Sequence, residues 1–262
     1  MVDLLNAILM GIVEGLTEFL PVSSTGHLIL LADLLNFTGD RAKTFEVVIQ
    51  FGAVLAVLVL YRKRFLKLLN FNFSKSSGMN ALHIALAMLP AGLIGVVFHG
   101  FIKEYLFSTT TVLVGLVAGG ILMIFADRIK RKVTAEELDD LSYKQALAIG
   151  CFQVLALWPG FSRSGSTISG GMFFGASQKA AAEFTFIVSV PMMAGASGID
   201  LIKSREFLTM ADMPLFLIGF ITAFIVALIA VVTFINLIKK LRLSWFAYYR
   251  FALAIVFAFI IL

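Results

Sequence analysis

The stretch that most constrains this chain is GIVEGLTEFLPVSSTGHL, residues 11–28. It predicts an apolar, membrane-inserted helix carrying two carboxylates and stopped by Pro21. A turn of small hydroxyl residues follows and ends at Gly26-His27. At about 100° per residue, Gly11, Glu14, Gly15 and Glu18 share one helix face. The glycines let a second backbone come close, and the carboxylates at i and i+4 then point into that contact. An ionised side chain near the centre of a bilayer costs about 2.5–3.5 kcal/mol on the insertion scale. Two of them on one face need partners, and a cation is the most natural one. The alternative is a pair snorkelling to an interface, but the apolar run continues on both sides.

Composition agrees with a membrane setting. Of 262 residues, 60% are hydrophobic and 14% charged, and the mean hydropathy is +0.98. Such a chain reads as an all-α polytopic membrane protein. The net charge of +5 is no nucleic-acid signal, because the basic residues sit in short loops between apolar spans. The single cysteine, Cys151, excludes an intramolecular disulfide and a cysteine metal cage, and reads as a small buried apolar residue. The first basic residue is Arg41, so residues 1–20 lack the positive region of a cleavable leader, and targeting is expected from the spans themselves.

In chain order, residues 4–20 and 27–35 are apolar pieces around Pro21, the second too short to cross about 30 Å of hydrocarbon. They predict a re-entrant helix pair over about 4–36. Spans are expected at about 45–61, 80–98 (with Pro90 as a kink) and 109–126. The polar stretch NFNFSKSSGMN separates the first two, and a charged cytoplasmic loop covers 127–144. The pattern then restarts, with a second re-entrant pair over about 145–176, broken at Pro159-Gly160, and spans at about 180–201, 214–238 and 245–262. Residues 1–126 and 145–262 therefore read as two copies of one plan. Gly11 aligns with Gly150 and Glu14 with Gln153; Pro21 and Ser24 align with Pro159 and Ser162 after a one-residue gap.

An odd number of spans per copy makes the second copy inverted relative to the first. Loops 62–78, 127–144 and 239–243 carry 5, 5 and 3 basic residues, and Lys179 lies with them. The opposite side holds only Arg41, Lys43, Lys103, Lys203 and Arg205. The positive-inside rule then places both termini outside. Two broken short segments at matching places in two halves point to a site near the bilayer midplane.

PGFSRSGST, residues 159–167, is the second half of that site. Arg163 lies among Ser162, Ser164, Gly165, Ser166 and Thr167, just before a short helix whose N-terminus offers unpaired N–H groups. A guanidinium fork with several hydroxyls suits a phosphate. The competing reading is an interfacial arginine anchor. His27, three residues after Ser24 and beside the carboxylate helix, has an ordinary pKa suited to acid–base work. His83 and His99 lie near span ends and read as structural. Carboxylates beside an oxyanion site imply a hard divalent cation, Mg²⁺ or Ca²⁺. A phosphate held within the membrane implies a lipid at the substrate's other end.

ExxxE at 14–18, PVSSTGH at 21–27 and PGFSRSGST at 159–167 resemble the signatures of bacterial undecaprenyl-diphosphate phosphatases, and FEVVIQFG at 45–52 extends the likeness along the chain. The resemblance implies removal of the terminal phosphate of undecaprenyl diphosphate, at the outer face of the bacterial cytoplasmic membrane. It also implies use of Mg²⁺ or Ca²⁺, supply of the monophosphate carrier for cell-wall synthesis, and bacitracin resistance. By position it implies Glu14 and Glu18 as metal ligands, and His27, Ser24, Arg163 and Glu18 as catalytic residues. Ser162, Arg163, Ser164, Gly165, Thr167 and Thr25 would contact the substrate, and either Ser24 or a water is the nucleophile. The partners implied are the polyprenyl diphosphate and the bilayer, with no nucleic acid and with room for a homodimer.

A lipid flippase or transporter on the same inverted-repeat plan would keep Arg163 but would not need His27 or a metal. A phosphohistidine phosphatase needs a second histidine after the arginine motif, and none follows His99. The basic asymmetry makes a direct prediction. Reporters fused after Lys67 and after residue 262 should read cytoplasm and exterior; the same side for both would contradict the inverted plan.

Overall fold

The computed structural model describes residues 2–37, 39–68, 78–106, 108–203, 212–238 and 240–261. The described chain is a bundle of α-helices: α1 Val2–Thr17, α2 Ser24–Leu34, α3 Asp40–Leu60, α4 Arg62–Leu68, α5 Ala81–Val97, α6 His99–Tyr105, α7 Thr109–Arg128, α8 Tyr143–Gln153, α9 Arg163–Phe173, α10 Gln178–Lys203, α11 Met213–Leu237 and α12 Leu243–Ile261. Among the described residues, three helical stretches are long and apolar enough to cross a membrane: Arg41–Leu60, Thr110–Arg128 and Met213–Leu237. Leu4–Thr17, Ala81–Val97, Tyr143–Leu157 and Leu243–Phe259 are apolar but shorter. Large apolar side chains face outward along these helices, Val96 and Phe259 most fully. In water such a surface would be unstable; against lipid tails it is not. The molecule is a polytopic helical membrane protein.

Two helix breaks differ in detail from the expected ones. The first helix ends at Thr17, so Glu18 lies just beyond it, yet the Glu18 N–H still donates to the Glu14 carbonyl at 3.0 Å and keeps both carboxylates on one side. The second site stretch is not a loop ahead of a helix: α9 already begins at Arg163. Between the spans expected at 80–98 and 109–126 lies a short helix (α6), and the basic residues after the first span form α4. Residues 69–77, most of the expected polar stretch, lie outside the described residues. The 127–144 segment is well packed, with Ala135, Leu138 and Leu141 buried and Ala135 bridged to Ala176 in parallel. Cys151 is exposed on α8 rather than buried, in keeping with an apolar face turned to lipid.

Glycines set the tightest contacts. A Cβ on Gly11 or Gly15 would lie 2.7 Å from the carbonyl oxygen of Gly219 or Ala223, so α1 meets α11 backbone to backbone. Gly52 of α3 does the same against Phe220, at 2.6 Å, and Gly150 of α8 against Ala87 of α5, at 2.6 Å. Close approach of this kind replaces the missing hydrophobic drive between helices in lipid. Beneath the site, Phe19, Phe184, Phe186 and Phe234 are buried, with Phe19 edge-on to Phe186 at 5.3 Å.

Substitution tests this packing. Gly15→Val should cost about 1–3 kcal/mol by overpacking and lower the unfolding temperature in detergent. Gly92→Ala, whose Cβ would meet nothing within 4 Å, should not. Equal behaviour of the two would contradict a backbone contact between α1 and α11.

Candidate active site

Both breaks are closed by the same device. Ser23 caps α2 and Ser162 caps α9; each sits at positive φ, 73° and 74°, and each hydroxyl accepts a backbone N–H three residues on, from Gly26 at 3.4 Å and Gly165 at 3.2 Å. A non-glycine residue at such φ is uncommon and strained. Serine fits because its side chain satisfies a helix-end donor. By their caps Ser23 and Ser162 play the same local role, whereas the sequence alignment set Ser24 against Ser162. Gly11 and Gly150, Glu14 and Gln153, Ser23 and Ser162, and Gly26 and Gly165 all share one offset along the chain. Ser24 and Arg163 are each the first residue of a short helix.

Those two residues meet at Glu18. The Ser24 hydroxyl donates to Glu18 Oε2 at 2.5 Å, and the Arg163 guanidinium donates to Glu18 Oε1 at 2.6 Å. All lie on the wall of a cavity of about 200 Å³, together with Ser23, Thr25 and Gln50 on one side and Trp158, Pro159, Gly160, Ser162 and Met193 on the other. Arg163 also donates to the Thr185 carbonyl at 3.3 Å and lies over the Phe19 ring, 5.8 Å from its centroid. Trp158 Nε1 donates to the Thr111 carbonyl at 2.9 Å and moors the second loop to α7.

Glu14 is fully buried, and neither of its carboxylate oxygens has a hydrogen-bond partner. Glu18, Glu46 and Arg163 are its charged neighbours. A buried carboxylate in this state is costly.

The other expected residues take different places. Ser164 donates to the Leu20 carbonyl at 2.9 Å and ties α9 to the first turn. The Thr167 hydroxyl turns back to the Arg163 carbonyl at 2.8 Å and accepts from Thr185 at 2.8 Å. Gly165 is buried and gives its N–H to the cap. None of these three lines the cavity. His27 does not line it either: Nδ1 is 2.8 Å from the Ser23 carbonyl oxygen and Nε2 is 2.7 Å from the Tyr249 hydroxyl. His83, as expected, is structural, with Nε2 at 2.8 Å from the Leu141 carbonyl; the His99 side chain lies outside the described residues.

Gln50, Glu46, Tyr249 and Arg250 escaped the sequence reading. Gln50 and Glu46 stand one turn apart on α3, a period that a polar pair inside an apolar span displays. Arg250 had the plainest signal, a lone charge inside an apolar run.

Comparison with known proteins bears on all of this. Residues 7–256 match the family described as bacitracin resistance protein BacA. The chain is 54% identical over 264 residues to "Undecaprenyl-diphosphatase 1" of Bacillus thuringiensis subsp. konkukian (strain 97-27), with 100% of each chain covered. The proteins of the same name from Bacillus anthracis and from Bacillus thuringiensis (strain Al Hakam) show the same identity and coverage. With the match running through both capped helix pairs and every helix between them, the chain belongs to the bacitracin resistance protein BacA family.

Proposed function

We propose that this chain is an integral membrane phosphatase that hydrolyses undecaprenyl diphosphate to the monophosphate and inorganic phosphate, and so confers bacitracin resistance. The observation that carries the reading is the Ser24–Glu18–Arg163 chain of contacts at 2.5 and 2.6 Å on the cavity wall. A hydroxyl, a carboxylate to take its proton and a guanidinium fork are what phosphoryl transfer asks of a protein. The names of the full-length relatives support the substrate. A flippase would need the arginine but not a serine aligned on a carboxylate.

In the proposed reaction Ser24 Oγ attacks the terminal phosphorus while its proton passes to Glu18. The bond from that phosphorus to the bridging oxygen breaks, and the lipid monophosphate leaves. Water then attacks the phosphoserine, releases phosphate and restores the hydroxyl. Arg163 holds the equatorial oxygens, and the α9 N-terminus adds its dipole. Glu18 is better placed than His27 as the base, because both nitrogens of His27 are engaged elsewhere.

Glu14, with its two unpartnered buried oxygens, fits a divalent cation, and Glu14 and Glu18 would hold it. Among the described residues no cluster of three ligating side chains surrounds it. That suits Mg²⁺, which takes one or two carboxylates and fills its shell with water and phosphate oxygens. When bound, the cation supplies neutralisation of phosphate charge.

A second cavity, of about 390 Å³, is lined by Val47, Val48, Phe51, Ala194, Ser197, Gly198 and Phe220. Its lining residues Phe51 and Ala194 follow Gln50 and Met193 of the polar cavity along α3 and α10. A Cβ on Gly195 or Gly198 would meet nothing within 4 Å. Unlike Gly11 or Gly15, Gly198 leaves open the space that it lines, and the first isoprene units suit that space. The inverted-repeat reading draws support from exchanged contacts: α1 packs on α11 while α8 packs on α5, and α3 meets α10 while α7 meets α12. With the basic loops in the cytoplasm, the site opens to the outer face.

Purified protein should release phosphate from a polyprenyl diphosphate, and Ser24→Ala should abolish the release. Arg163→Lys should fall by roughly 10²–10³ in kcat, as for a lost oxyanion donor. Lipid movement without phosphate release would overturn the reading. For the cation, Mg²⁺ should raise the unfolding temperature of the parent protein but not of Glu14→Gln, and in EDTA the Gln variant should melt no lower than the parent. An equal Mg²⁺ shift in both would place the metal elsewhere.

A further inference from the structure

Helix α12 contributes nothing to the cavity wall, yet two consecutive residues on it reach both halves of the site. Arg250 is fully buried. Its Nη2 donates to the carbonyls of Gly160 at 2.7 Å, Phe161 at 2.9 Å and Gly115 at 3.1 Å, and its Nη1 contacts Met123 Sδ at 3.3 Å. No carboxylate is among these partners, and Nε has none. A buried cation without a counter-ion is a poor device for stability, since an apolar side chain of similar size would avoid the desolvation cost. The fold nonetheless makes room for it: a Cβ on Gly119 would collide with the guanidinium, and one on Gly165 would lie 3.1 Å from Nη1.

What Arg250 holds is specific. Gly160 and Phe161 immediately precede Ser162, the strained cap of α9. Carbonyl oxygens facing a phosphate would repel it, and here two of them are drawn onto Arg250 instead. Tyr249 serves the other loop. Its hydroxyl is 2.7 Å from His27 Nε2, and the two rings stack at 5.6 Å with 6° between planes. His27 Nδ1 faces the carbonyl oxygen of Ser23, the strained cap of α2, at 2.8 Å. A carbonyl only accepts, so Nδ1 carries the proton and Nε2 accepts from the tyrosine. Neighbouring residues on a helix point about 100° apart, so one turn of α12 serves α2 with one side chain and the α7–α9 side with the other.

We infer that Tyr249 and Arg250 are positioning residues that set the register between Ser24 and Arg163, the first by bracing Ser23 through His27 and the second by bracing the backbone ahead of Ser162. His27 is then a strut in this device and not the proton carrier of the reaction. The activity arm of the inference rests on the phosphatase reading; the structural arm does not.

Amide hydrogen exchange in detergent separates the two braces without any substrate. Tyr249→Phe, which keeps the ring, should speed exchange in residues 22–28 and leave 160–166 unchanged. Arg250→Lys should do the reverse, and if that variant does not fold, Arg250→Met, which fills the volume but cannot hold the carbonyls, should give the same pattern. With a polyprenyl diphosphate, Tyr249→Phe should lower kcat by roughly 10-fold at little-changed KM and unfolding temperature, a misplacement effect. Tyr249→Phe combined with His27→Gln should then be no slower than His27→Gln alone. Unchanged exchange in both loops, equal loosening of both by either variant, or independent multiplication of the two losses would overturn the inference. If the parent releases no phosphate while the exchange pattern appears, the phosphatase reading fails and the brace stands.

Discussion

The carboxylate of Glu18 is the constraint on which the rest of the structure depends. It receives the hydroxyl of Ser24 from one short helix and the guanidinium of Arg163 from another, more than a hundred residues apart in the chain. In hydrocarbon none of the three can be left alone. Their mutual satisfaction joins the two broken helix pairs and brings a hydroxyl, a carboxylate and a guanidinium to one point. The Ser164 bond to the Leu20 carbonyl reinforces the same seam.

Around this centre the bundle trades side-chain bulk for closeness. Gly11 and Gly15 on α1, Gly52 on α3 and Gly150 on α8 let three helix backbones come into contact with α11 and α5, and Glu14 is fully buried. Gly198 instead lines an apolar cavity without filling it. The same residue type thus tightens the scaffold in one place and leaves space in another. Strain concentrates at Ser23 and Ser162, the only positions beside Asn36 where a described non-glycine residue has positive φ. Strained caps flanking a cavity need outside support, and α12 supplies it.

Much of this was legible in the residues. The apolar helices, the carboxylates on the first of them and the proline breaks follow from periodicity and from the cost of charge in lipid; of the six spans expected, three are long and apolar enough to cross a membrane among the described residues. Helix ends were less legible. Glu18 falls beyond α1, and Arg163 falls within α9, because a serine at positive φ can start a helix that local composition reads as a turn. Arg250 was missed although a solitary charge in an apolar span is a strong signal; it was absorbed into neither loop charge nor motif. His27 lies beside the carboxylates in sequence, but its ring is turned to Tyr249, some 220 residues away, and such a contact has no local trace.

The central claim is that Ser24 and Glu18 act as one unit. A double-mutant cycle measures it most directly, with phosphate release from a polyprenyl diphosphate as the readout. Ser24→Ala and Glu18→Gln should each remove most of kcat, and the double variant should be no slower than the worse single one, as for residues that share one step. Losses that multiply would mean the hydroxyl and the carboxylate act independently, and the contact between them would not be the one that drives the chemistry.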